Sequence, residues 1–460
     1  MKKVIPTITA AALLGASTVQ AVSSGTAHVD DIDGTVQFFN NSIREFSYSS
    51  NSAPHQQNAL VVADDNIYVT FFNTDGSLMI ARRSEDNNND NWTRSEFSSS
   101  HDSSDPDSHR TANIAVSPND KRIHIMWGHH ADKLRYVVTK DPNATLKPDS
   151  QFNVSLFESE RQYLKSGQNL SKVCYPRMFV GANDKLQVVW RDDGGSGNAN
   201  SYIATYNDDK TWTSRLKIIN GKTGTYAGDS NRNAYFNDIG YRNGTTHVSW
   251  TWRESAQKVN GYVTNHDLLY AYSTDSGNTW RNRLGNQVAG TGSWTMNLNT
   301  SDIKFKTLGY SDRVENQCGQ AIDRTGRVHM LWRHDNASGS KTLFHYFKSN
   351  GSSTVNTRER SGLSSSIRPK IYADPTNNSK DTLYIVTISG TKIKVYGANK
   401  GTDYWGTWET LYTSADDYIT ATAQIADDGR KLFIMAQKRP ADVATATSSG
   451  LDLITLPVTP

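Results

Sequence analysis

The groups in this chain that could move protons or hold anions stand beside short apolar runs. His109, Tyr175, Tyr235 and Cys318 each come just before such a run. Gly128-His129-His130, Arg191-Asp192, Arg253-Glu254 and Arg333-His334 each come just after one, and His266 and His345 lie near the start of others. Imidazole exchanges a proton close to neutral pH, and a phenol can hand a proton to a departing oxygen. Guanidinium offers a fixed, two-pronged positive partner for a carboxylate or sulfate. A second set, Cys318, His334, His345 and His266, combines one thiolate with three imidazoles, a donor set suited to a closed, structural zinc site. Its spacing is not a compact zinc motif. The alternatives are a buried free thiol among scattered histidines, or a Cys174–Cys318 pair.

The elements that must carry these groups repeat. Ile67-Tyr68-Val69-Thr70-Phe71 returns as Ile123-His124-Ile125-Met126-Trp127, Leu186-Gln187-Val188-Val189-Trp190, Val248-Ser249-Trp250-Thr251-Trp252 and Val328-His329-Met330-Leu331-Trp332, with weaker copies from Leu383 and Leu432. These seven runs are rich in β-branched and aromatic residues, which favour strands. Each follows a turn and another short strand, and helical periodicity is nearly absent. A unit of about 60 residues with four short strands describes a propeller blade. The chain is therefore predicted to be an all-β, seven-bladed β-propeller with four-stranded antiparallel blades. Ser273-Thr274-Asp275-Ser276-Gly277-Asn278-Thr279-Trp280 fits an Asp box, the turn between the third and fourth strands of a blade, and Asn207–Trp212 is a degraded copy. In antiparallel blades the start of the first strand, the end of the second and the start of the third share one rim. The candidate residues of blades two to five thus fall on one rim, opposite the Asp-box turns. The wide interval between the fourth and fifth repeats holds an insert, roughly 281–315, whose Trp294 and Tyr310 are expected to wall a groove on that rim.

Composition narrows the setting. Met1-Lys2-Lys3 followed by an apolar stretch and Val19-Gln20-Ala21 reads as a secretory signal over 1–21, leaving 22–460 as one propeller domain outside the cytoplasm. A formal net charge of +3 gives slight support for a polyanionic partner and none for nucleic acid, and no later stretch suggests a membrane span. A monomer is expected. Two cysteines make no disulfide framework, so burial must hold the fold.

On these residues the chain resembles the propeller-fold ulvan lyases (polysaccharide lyase family 25, close to family 24) within the BNR-repeat or Asp-box group. The resemblance rests on Ser108-His109-Arg110, Trp127-Gly128-His129-His130, Cys174-Tyr175-Pro176-Arg177, Trp190-Arg191-Asp192 with the Gly-rich run after it, Asn233-Ala234-Tyr235, Trp250–Glu254 and Asn265–Leu268. It implies a lyase that cleaves a uronic-acid-containing, sulfated glycan by β-elimination. It implies His109 as base, Tyr175 as acid, Arg191 on the uronate carboxylate, His129 as a second active-site histidine and Tyr235 as a sugar-binding tyrosine. Arg110, Arg177 and Arg253 would meet sulfates or carboxylates further along the substrate, and a bound metal would prop the site. Two rivals use the same scaffold. A sialidase-like hydrolase would need an arginine cluster and a Tyr/Glu pair; Glu254 is a possible acid, but no early Arg-Ile-Pro motif is present. A glycan-binding propeller would need no catalysis.

Overall fold

The computed structural model describes residues 21–37, 51, 53, 59–86, 91–100, 107–192, 197–376 and 379–459. Residues 1–20 of the expected secretory signal, and Asp193–Ser196 of the Gly-rich run, lie outside that set.

Seven antiparallel sheets form the described chain. The seven sequence repeats are their second strands: Asn66–Phe72, Ile123–Trp127, Leu186–Asp192, Thr245–Val259, Val328–Asp335, Leu383–Ser389 and Lys431–Lys438. Each is flanked by a first and a third strand, so both of its faces meet neighbouring blades and the run can be apolar throughout. Seven apolar clusters result, one at each junction between consecutive blades, the last joining blade seven to blade one. Trp127, Trp190, Trp250 and Trp332 are each no more than 1% exposed. Burying one such side chain contributes about 4–6 kcal/mol before its ordering cost is subtracted.

The ring closes by strand exchange. Blade seven takes its outer strand, His28–Gln37, from the start of the chain, paired antiparallel with Ser448–Thr459. Asp30 on that strand ion-pairs with Arg83 of blade one, both side chains wholly buried, and Arg83 also donates to Thr455 Oγ1 at 3.2 Å.

The Asp box behaves as its sequence predicts. Asp275 Oδ1 accepts from Thr279 N at 2.8 Å and Oδ2 from Thr279 Oγ1 at 2.6 Å, while Gly277 adopts φ 85° and donates to Ser273 Oγ. The insert departs from expectation. The outer strand of blade four is interrupted: Thr279–Arg281 and Lys304–Lys306 both pair with Tyr262–Ser273, and residues 282–303 leave between them. Met296 bridges in parallel to Ile219 of blade three, so Trp294 stands on the outer flank of the ring. Only Tyr310 reaches the predicted rim, 6.0 Å in ring centroids from His266. An interrupted outer strand leaves no sequence signal beyond its extra length.

Candidate active site

Three first strands aim their chemistry at one place. Cys174 pairs with Arg191 and Arg177 with Val189, so the first strand of blade three carries one extra residue between them. This bulge places Tyr175 at φ 52°, a left-handed conformation that a tyrosine rarely adopts. The ring is thereby turned toward Tyr235, at 5.8 Å between centroids. Arg191 lies between both phenols, 4.9 Å from the Tyr175 centroid and 4.8 Å from that of Tyr235. Its side chain is buried, and among the described residues none of its three guanidinium nitrogens makes a hydrogen bond of normal geometry. Burial works against its charge, but Tyr235, Cys174 and Tyr175 together hold its pKa above the ordinary value. Burial also pushes the Tyr175 phenol above its usual range, with Tyr235 adding to the effect and Arg191 only partly opposing it. This phenol therefore keeps its proton.

Facing Tyr175 is a carboxylate shared by two imidazoles. Asp107 Oδ1 accepts from His109 Nδ1 at 2.5 Å, and Oδ2 accepts from His130 Nδ1. The two imidazoles stack with centroids 4.4 Å apart. Their centroids lie 6.3 Å (His109) and 5.7 Å (His130) from that of Tyr175. An ionised carboxylate can only accept, so both Nδ1 atoms carry hydrogen, and a ring in its neutral form presents an Nε2 lone pair. Burial would raise the Asp107 pKa, but the hydrogen bonds from His109 and His130 hold it far below the carboxylate range. Burial also pushes His109 below the usual imidazole value, which Asp107 partly opposes.

The histidine that the structure brings to Tyr175 beside His109 is His130, and the expected placement of His129 there is corrected. His129 is buried on the other side of its turn, its Nε2 accepts from Arg135 N at 2.9 Å, and burial with Arg135 lowers its pKa to about 3. Neighbouring residues of an extended chain face opposite ways. Pairing of His130 with Cys174 then fixes which of the two meets Tyr175.

The remaining predicted residues divide. Arg110 is held near the histidines by Asp132, with 3.1 Å from Nη1 to Oδ2. Arg177 is one step below: it pairs with Asp238 at 3.2 Å, lines the central channel with Lys370 and Tyr372, and also lines the crevice beside Tyr175 and Arg191. Arg253 lies on the long blade-four hairpin, where its Nη2 donates to Gln257. The proposed zinc ligands do not assemble, and that expectation is corrected. His334 stacks on Phe344 and donates to or accepts from Tyr346 OH, whereas His345 is 3.0 Å from His329 on the other face of the same sheet. Residues 344 and 346 alternate with 345, so the sheet itself separates the two imidazoles. His266 pairs with Glu254 at 2.8 Å under Tyr226, and Cys318 sits in an apolar cluster with its pKa raised to about 12, chiefly by burial. Both cysteines are free thiols, so the Cys174–Cys318 pair is also excluded. Among the described residues Asp107, His109 and His130 are the group whose ligand-type atoms lie within 4.8 Å of one another. The 2.5 Å contact between Asp107 and His109 is a hydrogen bond. Two ligands on one tetrahedral metal stand roughly 3.3 Å apart.

Sequence reading missed four participants. Asp107, two residues before His109, was legible as a carboxylate at hydrogen-bonding range of the imidazole. Arg368 lies two residues before the first strand of blade six, and its charge acts on both His109 and Tyr175. Gln317, at φ 58°, lines the crevice beside Arg191. Asn233 shares the strand face of Tyr235, and both polar atoms of its fully buried amide lack partners among the described residues. No pattern marks Gln317 or Asn233 beforehand.

With this geometry in place, the chain can be compared with known proteins. A family model described as "BNR repeat-containing family member" matches residues 66–360, most of the chain. The chain belongs to this BNR-repeat family. Among curated proteins it is 23% identical over 394 residues to a protein named "Ulvan lyase, long isoform" from Glaciecola sp. (strain KUL10), covering 75% of this chain and 37% of that one. It is 25% identical over 244 residues to "Ulvan lyase, short isoform" from Alteromonas sp. (strain LOR), covering 45% and 44%. This BNR-repeat chain thus spans less than half the length of these relatives. Among solved structures, the polysaccharide lyase Uly1 superposes with a TM-score of 0.74 at 16% identity, over 94% of this chain and 99% of that one. A PL25 ulvan lyase gives 0.63 at 12% identity, over 91% and 95%. Both likenesses establish the shared propeller fold.

Proposed function

We propose that this BNR-repeat propeller is a polysaccharide lyase acting on a uronic-acid-containing sulfated glycan, most simply ulvan. The names of its curated relatives support the substrate class. The observation that carries the reaction class is the opposition of a carboxylate-held imidazole pair to a proton-retaining phenol, with a buried guanidinium beside it.

The chemistry follows from protonation. His109 Nε2, neutral and unprotonated, takes the hydrogen from the carbon next to the uronate carboxylate. The C–H electron pair becomes a C=C bond, the C–O bond to the next sugar breaks, and Tyr175 gives its proton to the departing oxygen. The proton on His109 and the vacancy on Tyr175 are then restored by water, so the balance needs no further reactant. His130, on the same carboxylate, stands as the alternative base for an epimeric sugar. Arg191 stabilises charge that spreads onto the uronate carboxyl group, the largest catalytic contribution in such sites. The crevice beside it holds only about 10 Å³, so Tyr235 or Gln317 turns aside for the carboxylate to reach it. Arg110 and Arg368 supply cationic edges for sulfates. An apolar, Lys-rich N-terminus supports export to the periplasm or medium, where such a polymer is met.

Digestion of ulvan under ultraviolet light tests this reading. The expected result is rising absorbance from the new double bond, abolished in His109→Ala and Tyr175→Phe with the fold retained. Normal activity in both variants would overturn the site assignment.

A further inference from the structure

The blade-four insert carries a feature that the reaction does not use. Its backbone is stapled across two blades: Gly292 N donates to Lys217 O at 2.7 Å, Met296 N to Ile218 O at 3.0 Å, and Asn220 N to Met296 O at 2.7 Å. The Met296 side chain is wholly buried. A tight turn between Gly290 and Trp294, closed by hydrogen bonds in both directions, then fixes the Trp294 backbone. Yet the Trp294 side chain is 54% exposed, while eight of the eleven tryptophans are buried to below 2% exposure. An indole held on a rigid frame and left in water loses little conformational freedom when a ligand covers it.

The indole forms one wall of a pocket of about 370 Å³ on the flank. Thr223, Gln287, Asn297, Asn299 and Thr300 are among its other walls, and no charged side chain lines it. The side-chain amides of Gln287 and Asn299 and the indole N–H have no hydrogen-bond partner among the described residues. An apolar ring face beside the two unpartnered amides of Gln287 and Asn299 matches a sugar: C–H groups cover the ring, and amides bridge neighbouring hydroxyls. With no cation present, the pocket gives no advantage to a carboxylate or sulfate, unlike the crevice around Arg191. The two share no lining residue. They are linked along the protein, because the Thr223 carbonyl accepts from buried Arg232, which ion-pairs with Glu254 near the active rim.

We propose that this flank pocket is a second glycan-binding site, taking the uncharged face of a sugar unit of the same polymer whose acidic unit is cleaved at the rim. It rests on the lyase reading for the identity of the polymer. It retains long chains and leaves the chemical step unaltered.

The test compares Trp294→Ala and Asn299→Ala with the unaltered protein, each in the inert Tyr175→Phe background for electrophoresis through gels containing ulvan. The expected result is a clear loss of retardation in both variants. In the active background KM for long chains rises about five- to tenfold, the effect of removing one aromatic anchor. Turnover of a short oligosaccharide stays within about twofold. Retardation and polymer KM equal to those of the unaltered protein would overturn the proposal, as would no retardation of the unaltered protein. If the unaltered protein is retarded through Trp294 but forms no unsaturated product, the pocket stands and the lyase reading falls.

Discussion

Asp107 is the residue on which the acid–base assignment turns, because one carboxylate sets the tautomer of two histidines. In Asp107→Asn the amide can accept from one ring only, and its NH₂ group forces the other ring to place hydrogen on Nε2. Activity should fall by about 10²–10⁴-fold, the usual contribution of a positioned base, with little change in KM. The residual acid limb should move to lower pH, because Asp107 is what raises the His109 pKa against burial. Asp107→Glu should recover part of the rate. In the unaltered protein the acid limb of kcat/KM should lie below the free imidazole value of ~6.5 and the alkaline limb above the free phenol value of ~10. Those are the directions in which His109 and Tyr175 are displaced. A rate that falls only below pH 5 in both Asp107→Asn and the unaltered protein would show that Asp107 has no such role. At this scale the sequence was legible where strand position sufficed, as for His109, Tyr175, Arg191 and Tyr235. It was not legible where a single turn decides between neighbours: His129 and His130 are adjacent, and only the pairing of His130 with Cys174 selects one.

Among the elements, the bulge at Tyr175 and the closing strand matter most. The extra residue between Cys174 and Arg177 cannot be seen in composition, yet without it alternation would place the phenol differently relative to Arg191. The four residues expected to share a zinc ion stay apart for the same kind of reason. All four ligands lie in the right blades, but His334 and His345 occupy opposite faces of one sheet. The closing strand makes its own prediction. Asp30→Ala removes a carboxylate that ion-pairs with the wholly buried Arg83. Removing one member of such a pair costs about 3–5 kcal/mol. Urea denaturation should show that loss, with ulvan turnover at low temperature retained because Asp30 is remote from the rim residues. An unchanged midpoint would mean that the pair does not secure the ring.

For the molecule as a whole, seven repeats were enough to predict seven blades, because each second strand is buried on both faces and so keeps its apolar pattern. The flank insert was not foreseeable in place, since only its length marks it. The same burial that makes the fold legible also makes it acid-sensitive. Burial holds His124, His129 and His247 neutral, with pKa values lowered to about 3. Unfolded, they take up protons near ~6.5, so the unfolded state binds more protons between about pH 3 and 6.5 and stability is lost as pH falls through that window. Three such groups give a slope of roughly 4 kcal/mol per pH unit within it. Urea midpoints at pH 7 and pH 5 should differ strongly, and equal midpoints would contradict the buried, neutral state of these histidines.

The reaction itself is tested most directly by digesting ulvan in ¹⁸O-labelled water and weighing the fragments. Elimination through His109 and Tyr175 adds no oxygen from solvent, so after correction for anomeric exchange, measured by incubating finished products in the same water, every new chain end should be unlabelled and each new non-reducing end one water lighter than its hydrolytic counterpart. One ¹⁸O atom per cleavage would mean that the propeller hydrolyses its substrate, and the account of these side chains as base and acid of an elimination would fail.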